Sequence, residues 1–137
     1  MLHRNKKIDL LKRVPLFAGC SKKELDQISR IADELDFRPG KTLIKQGSPG
    51  REFFVLVDGS AEIQRNGKKI DSAGPGEFFG EMALLTDQPR NASVVTTSSV
   101  DALIITARNF RSLVESNPLI ALKVMRAVAD RLPPSEF

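Results

Sequence analysis

Tryptophan and tyrosine are absent, and all eight aromatic residues are phenylalanine. Aromatic surface for stacking nucleic-acid bases is therefore poor. Histidine occurs once, as His3. A metal-dependent enzyme on a β-roll needs several His, Asp or Glu ligands converging, and one histidine in an N-terminal arm does not supply them. A haem sensor would need an axial His or Cys, and both His3 and Cys20 precede the strand-rich region. Cys20 is the sole cysteine, which excludes an internal disulfide and fits a reducing, cytoplasmic setting with a structural free thiol. No apolar run approaches the roughly 18 residues that span a bilayer. The basic N-terminus is not followed by a long apolar segment, so a secretory signal is not expected.

What remains describes an ordinary folded domain. The chain has 137 residues, 41% hydrophobic and 28% charged, enough for one domain with a working core. Its net charge of +4 has a location. Arg4, Lys6, Lys7, Lys12 and Arg13 face only Asp9 in the first 13 residues, and the rest of the chain balances. A nucleic-acid binder spreads positive charge over a broad face. Here the excess sits on one short arm, as on a solvated helix, so no nucleic-acid partner is expected for this chain alone.

Eight of the nine glycines lie between Gly40 and Gly80. Glycine marks turns that need positive φ, so the middle is expected to be short strands and both ends helical. Ile8, Leu10, Leu11 and Val14 suggest a short amphipathic helix over 6–13, ended by Pro15. Ser21 and Glu24 form a capping-box pattern, and Leu25, Ile28, Ile31, Ala32 and Leu35 follow at helical spacing. A second helix is expected over 22–34. Strands are expected at 42–45, 52–57, 61–65, 69–72, 93–97 and 102–106. Asn66-Gly67 is a two-residue hairpin signal, and Asp58-Gly59 marks another turn. Beyond Thr106, Phe110, Leu113 and Val114 suggest one helix. Asn117-Pro118 can open another, carrying Ile120, Val124, Met125, Val128 and Leu132 before Pro133-Pro134 stops it. The fold class is α+β: an antiparallel β-roll, a jelly-roll-like sandwich, over 40–106. N-terminal helices in 1–35 and C-terminal helices in 108–132 flank it, all in a single domain of residues 1–137. The apolar width of 118–132 would suit a core-facing role, a lid, or contact with a second copy or an effector.

The stretch "FFGEMALLTDQPRNASV", 78–94, sets Glu81 beside a glycine and Arg90 between a proline and an asparagine. "EMALL" is helix-forming for one or two turns. A helix opening at Gly80 would direct unpaired N–H groups toward an anion. Arg90 adds a planar fork of permanent charge suited to phosphate oxygens. Glu81 would repel phosphate, so it suits a hydroxyl on the same ligand. One anion and one hydroxyl describe a ribose phosphate. An internal Glu81–Arg90 ion pair is the plainer alternative. No general base or metal ligand accompanies the two residues, so binding without turnover is expected, with no cofactor and no metal.

"FGEMALLTDQPRNASV" closely resembles the phosphate-binding cassette of cyclic nucleotide-binding domains, the sensor module of catabolite activator-type regulators, kinase regulatory subunits and nucleotide-gated channels. "VPLFAGCSKKELDQI" (14–28) is similar to the family's N-terminal helices, and "RPGKTLIKQGSPGREFFVLVDGSAEI" (38–63) to its first β-roll strands. The resemblance implies a regulatory sensor in which Glu81 holds the ribose 2′-OH and Arg90 pairs with the cyclic phosphate. Gly80, Met82 and the N–H groups of Ala83 and Ala92 would border the sugar-phosphate, and Ser93 would add a hydroxyl. Asn91 stands where Thr or Ser would favour cyclic GMP. It is not the Ala common in cyclic AMP binders either, and the expectation leans to cyclic AMP. It also implies that the C-terminal helix moves when nucleotide enters. The alternatives are a nucleotide-free interaction module of the same fold, or the sensor part of a larger regulator. Transcription factors of the family continue into a helix-turn-helix, and this sequence stops at Phe137; the natural-looking start "MLHRNKK" favours an intact N-terminus.

Overall fold

A computed structural model describes residues 2–130. Helix α1 spans Arg4–Lys12, a 3₁₀ turn Pro15–Phe17, and α2 Lys22–Arg30. The strands are β1 Asp33–Phe37, β2 Thr42–Ile44, β3 Glu52–Asp58, β4 Ala61–Arg65, β5 Lys68–Ala73, β6 Phe78–Phe79, β7 Ser93–Thr96 and β8 Val100–Thr106. A second 3₁₀ turn, Glu81–Leu84, separates β6 from β7, and α3 (Ala107–Ser116) and α4 (Pro118–Asp130) close the described chain. The strands form two antiparallel four-stranded sheets, ordered β1-β8-β3-β6 and β2-β7-β4-β5. The expected jelly-roll sandwich with helices at both ends is what forms. Leu132 and Pro133-Pro134 lie outside the described residues.

Strands β3 and β8 explain the architecture. Their neighbouring side chains point to opposite faces, and both faces are covered. Phe53, Val55, Leu103 and Ile105 join a core under the helices with Leu11, Phe17, Ile28, Phe110, Ile120 and Val124. Phe54, Leu56, Ala102 and Ile104 join a second core between the sheets with Ile44, Ala61, Ala73 and Val94. Burial on both sides makes "FFVLV" and "ALII" continuous apolar runs rather than alternating ones. The two residues of β6 split the same way: Phe78 packs edge-on to Phe53 at 6.1 Å, and Phe79 stacks on Phe54 at 5.7 Å.

Local signals hold where local chemistry decides. Ser21 Oγ accepts from the Glu24 N–H at 3.2 Å, and Glu24 Oε1 accepts from the Ser21 N–H at 2.7 Å, completing the capping box. The same Glu24 oxygen accepts from Lys123 Nζ at 2.5 Å, tying α4 to α2. Asn66 and Gly67 both take positive φ, 54° and 79°, in the β4–β5 hairpin.

The expected second helix is too long. It ends at Arg30 with Ile31 as its cap, and 33–37 is the edge strand β1, not the end of a helix. Leu35 fits the helical spacing but is half exposed. Backbone pairing of Asp33–Phe37 with Val100–Ile104 of β8 overrides that spacing. Short β6 was not expected either.

Candidate functional site

The segment carrying Arg90 is held as a strand-like partner of the loop before β3. Gly47 N–H donates to Arg90 O at 2.8 Å, and Arg90 N–H donates to Ser48 O at 2.9 Å. Pro49 and Pro89 form an isolated antiparallel bridge. The Arg90 side chain then lies half-buried between two glycines. A Cβ on Gly50 would stand 3.0 Å from Arg90 Nε, and one on Gly80 would stand 2.5 Å from Nη1 and 2.9 Å from the Glu52 carbonyl. A side chain at Gly80 would therefore clash outright, and one at Gly50 would push the guanidinium by a few tenths of an ångström. Gly80 also takes φ 85°, a left-handed conformation that glycine adopts without strain.

Two backbone carbonyls orient the guanidinium. Nη1 donates to Gly80 O at 3.4 Å and Nη2 donates to Glu52 O. Burial pulls the Arg90 pKa below its usual value, and the nearby Glu52 carboxylate opposes this. An arginine remains protonated at neutral pH under either influence.

A cleft of about 400 Å³ opens beside this group, lined by Gly50, Phe78 to Ala83, Thr86 and Gln88 to Asn91. That size suits a small ligand. Six of the eight residues expected from the sequence line it: Gly80, Glu81, Met82, Ala83, Arg90 and Asn91. Ala92 and Ser93 do not. Ser93 begins β7, and its Oγ accepts from the Gln46 N–H at 2.8 Å, so its hydroxyl supports the neighbouring loop.

The geometry also corrects the expected anion site. The segment after Gly80 is a single 3₁₀ turn of four residues, too short for a substantial helix dipole. The Ala83 N–H donates to Gly80 O at 3.0 Å instead of pointing to a ligand. Positive charge in the cleft therefore comes from Arg90. Leu84, on the same turn, is buried in the core under the helices, so the cleft floor and the helical layer share one element. Sequence reasoning did not place Gly50, Phe78, Phe79, Thr86, Gln88 or Pro89 among the site residues, though they line the cleft. The glycines of "GSPG" at 47–50 signalled a turn, but nothing local showed that Arg90 would lie against Gly50. Among the described residues no group of three His, Cys, Asp or Glu could hold a metal ion, and no helix is long and apolar enough to cross a membrane.

The fold is a two-sheet jelly roll with helical flanks, and one oriented guanidinium gives its small cleft a positive charge suited to an anion. The family model described as "Cyclic nucleotide-binding domain" matches residues 34–117. The cAMP-dependent protein kinase regulatory subunit of Hypocrea atroviridis is 35% identical over 105 residues, covering 77% of this chain and 23% of that protein. The CRP-like cAMP-activated global transcriptional regulator of Mycobacterium tuberculosis is 26% identical over 129 residues, covering 90% of this chain and 58% of that one. The solved N-terminal domain of a transcriptional regulator from Streptomyces coelicolor A3(2) superposes with a TM-score of 0.82 at 28% identity, covering 90% and 91% of the two chains. This chain belongs to the cyclic nucleotide-binding domain family. It spans about a quarter of the length of the kinase regulatory subunits it matches.

Proposed function

We propose that the cleft binds a cyclic nucleoside monophosphate, cyclic AMP in preference to cyclic GMP, and that the domain acts as a regulatory sensor rather than a catalyst. The observation that carries this reading is the Arg90 guanidinium, half-buried between Gly50 and Gly80, held by two carbonyls and lining the cleft. Those carbonyls engage two of the five N–H donors of an arginine. Of the other three, a parallel pair can serve the cyclic phosphate as a bidentate fork. Glu81, which lines the same cleft, takes the ribose 2′-OH. Asn91 at the rim lacks the hydroxyl that would favour guanine. The regulatory subunit named above is that of a cAMP-dependent protein kinase, and the mycobacterial regulator is cAMP-activated, which supports the adenine preference. A Plasmodium berghei cGMP-dependent protein kinase is also similar, at 27% identity, so cyclic GMP is the competing ligand to titrate.

Output passes through the C-terminal helices. Leu84 sits in one core with Phe110, Ile120 and Val124, so a shift of the turn under the ligand displaces packing partners on α3 and α4. Interiors are close-packed and transmit such shifts. Nucleotide then favours one of two helix arrangements by its differential affinity. Leu119, Leu122 and Met125 on α4 are about half exposed or more, and they form the face that meets an effector or a second copy.

Calorimetric titration with cyclic AMP, cyclic GMP and AMP tests the reading. Cyclic AMP should bind tightest and AMP weakest, because AMP offers an open, more highly charged phosphate. Equal affinity for AMP would refute recognition of the ring, and silence with all three would refute the site. Amide exchange over 118–130 that does not change with nucleotide would refute the helix response.

A further inference from the structure

The residues that fix the Arg90 segment lie partly outside the cleft. Gln46, in the loop after β2, is bonded in two directions. Its backbone N–H donates to Ser93 Oγ at 2.8 Å. Its side chain makes both bonds an amide can offer to one partner: Nε2 donates to Asn66 Oδ1 at 3.0 Å, and Oε1 accepts from the Asn66 N–H at 2.8 Å. Asn66 is the positive-φ residue at the tip of the β4–β5 hairpin. Beside it, Arg65 Nε donates to the carbonyl of Asn91 at 3.1 Å. The hairpin tip thus grips the loop at 46 with one residue and the chain just after Arg90 with the next. None of Gln46, Arg65 or Asn66 lines the cleft.

We propose that Gln46, Asn66 and Arg65 are positioning residues that hold the loop at 46–50 against the segment at 90–93. Affinity for the ligand is then set in part by a hairpin tip that never touches it. Arg90 is placed by backbone bonds to Gly47 and Ser48 and by the slot at Gly50. That loop has no strand of its own across 46–50. Its register is fixed at one end by β2 and at the other by β3, with the Gln46–Asn66 amide pair as the side-chain fastening between. A sequence reading assigns Asn66 to turn chemistry alone. The structure gives its side chain a second task. The proposal rests on the cyclic nucleotide reading for its effect on affinity, but not for its effect on the loop.

The test uses the full chain with cyclic AMP as probe, and amide exchange without any ligand. Gln46→Ala should weaken binding by about three- to tenfold, the scale of lost hydrogen bonds at a partly exposed site. It should also speed exchange at the Gly47 and Arg90 amides several-fold. Asn66→Gly preserves the turn and removes the Oδ1 acceptor but keeps the backbone N–H that donates to Gln46 Oε1, so it should shift both readouts in the same direction as Gln46→Ala but by less. Asn66→Asp keeps the Oδ1 acceptor and the N–H donor, and should restore most of the wild-type behaviour. A purely structural role for the hairpin would instead let Asn66→Gly behave as wild type. Arg65→Ala should lower affinity without changing how affinity falls with added salt, because Arg65 holds a carbonyl and not the ligand's phosphate. Wild-type titrations and exchange for Gln46→Ala overturn the proposal. If the wild-type chain binds no cyclic nucleotide, the functional reading fails on its own. The positioning claim is then decided by exchange alone, and unchanged protection at Gly47 and Arg90 in Gln46→Ala overturns it.

Discussion

Three glycines separate the cost of backbone conformation from the placement of Arg90. Gly40 takes φ 81° and a Cβ there would meet nothing within 4 Å. Gly40→Ala should therefore carry only the left-handed strain, about 1 kcal/mol, lowering Tm by about 3–5 °C in a chain of this size. Gly50 is not at positive φ, and the three atoms nearest its Cβ would all belong to the Arg90 side chain, at 3.0–3.2 Å. Gly50→Ala should leave stability within about 0.5 kcal/mol, because the stiffer unfolded chain offsets mild crowding. It should weaken cyclic AMP binding by about three- to tenfold, since the guanidinium must shift by a few tenths of an ångström off its carbonyl anchors. Gly80 combines both faults. It takes φ 85°, and its Cβ would strike Arg90 Nη1 and the Glu52 carbonyl. Strain and overpacking together come to about 2–4 kcal/mol, with affinity lost as well. Urea or thermal unfolding and calorimetry on the three variants give the full comparison. If Gly50→Ala binds as wild type while Gly40→Ala binds weakly, the packing account of Arg90 is wrong.

Arg90→Ala should weaken cyclic AMP binding by about 10- to 100-fold or more, and Glu81→Ala by about tenfold, on the scale of charged hydrogen bonds. A 2′-deoxy ligand should lose little further affinity on the Glu81 variant, and a full additional loss would remove Glu81 from the hydroxyl. A pH effect is expected at the β1–β8 end of the sheet. Burial and the adjoining Glu34 push the Asp101 pKa up to about 7, Asp36 and Asp58 lie opposite it in register, and its Oδ1 is buried without a hydrogen-bond donor. The folded chain holds this proton between about pH 4, where an unfolded Asp loses it, and about pH 7. That stabilisation is complete below pH 4 and fades as pH rises through 7. Glu34, whose pKa is lowered chiefly by its bond with Asp101, contributes in the opposite sense at acid pH. Asp101→Asn should flatten the fall in urea stability between pH 5 and 8, and an unchanged slope would refute the assignment. Lys123→Ala should loosen α4, costing about 1–2 kcal/mol because Lys123 is partly exposed. Exchange should rise across 120–128 while the α2 cap stays protected, and no rise would show that the Glu24 link does not hold the helix.

The sequence alone determined the parts governed by neighbours along the chain. Asn66-Gly67 adopts the turn that positive φ demands, Ser21 and Glu24 cap each other, and Pro118 opens α4, because each needs only a few adjacent residues. The six expected strands appear near their expected bounds, and the motif around Glu81 and Arg90 was legible through its resemblance to a family. Tertiary structure decided the rest. Leu35 sits in a helical pattern yet lies in β1, because β8, more than sixty residues later, offers it a backbone ladder. The expected helix at Gly80 is one 3₁₀ turn whose Ala83 N–H is already bonded. The Ser93 hydroxyl turns to Gln46. Only the folded chain shows that Gly50 and Gly80 form the slot for Arg90, since steric fit between residues 40 positions apart has no local signature.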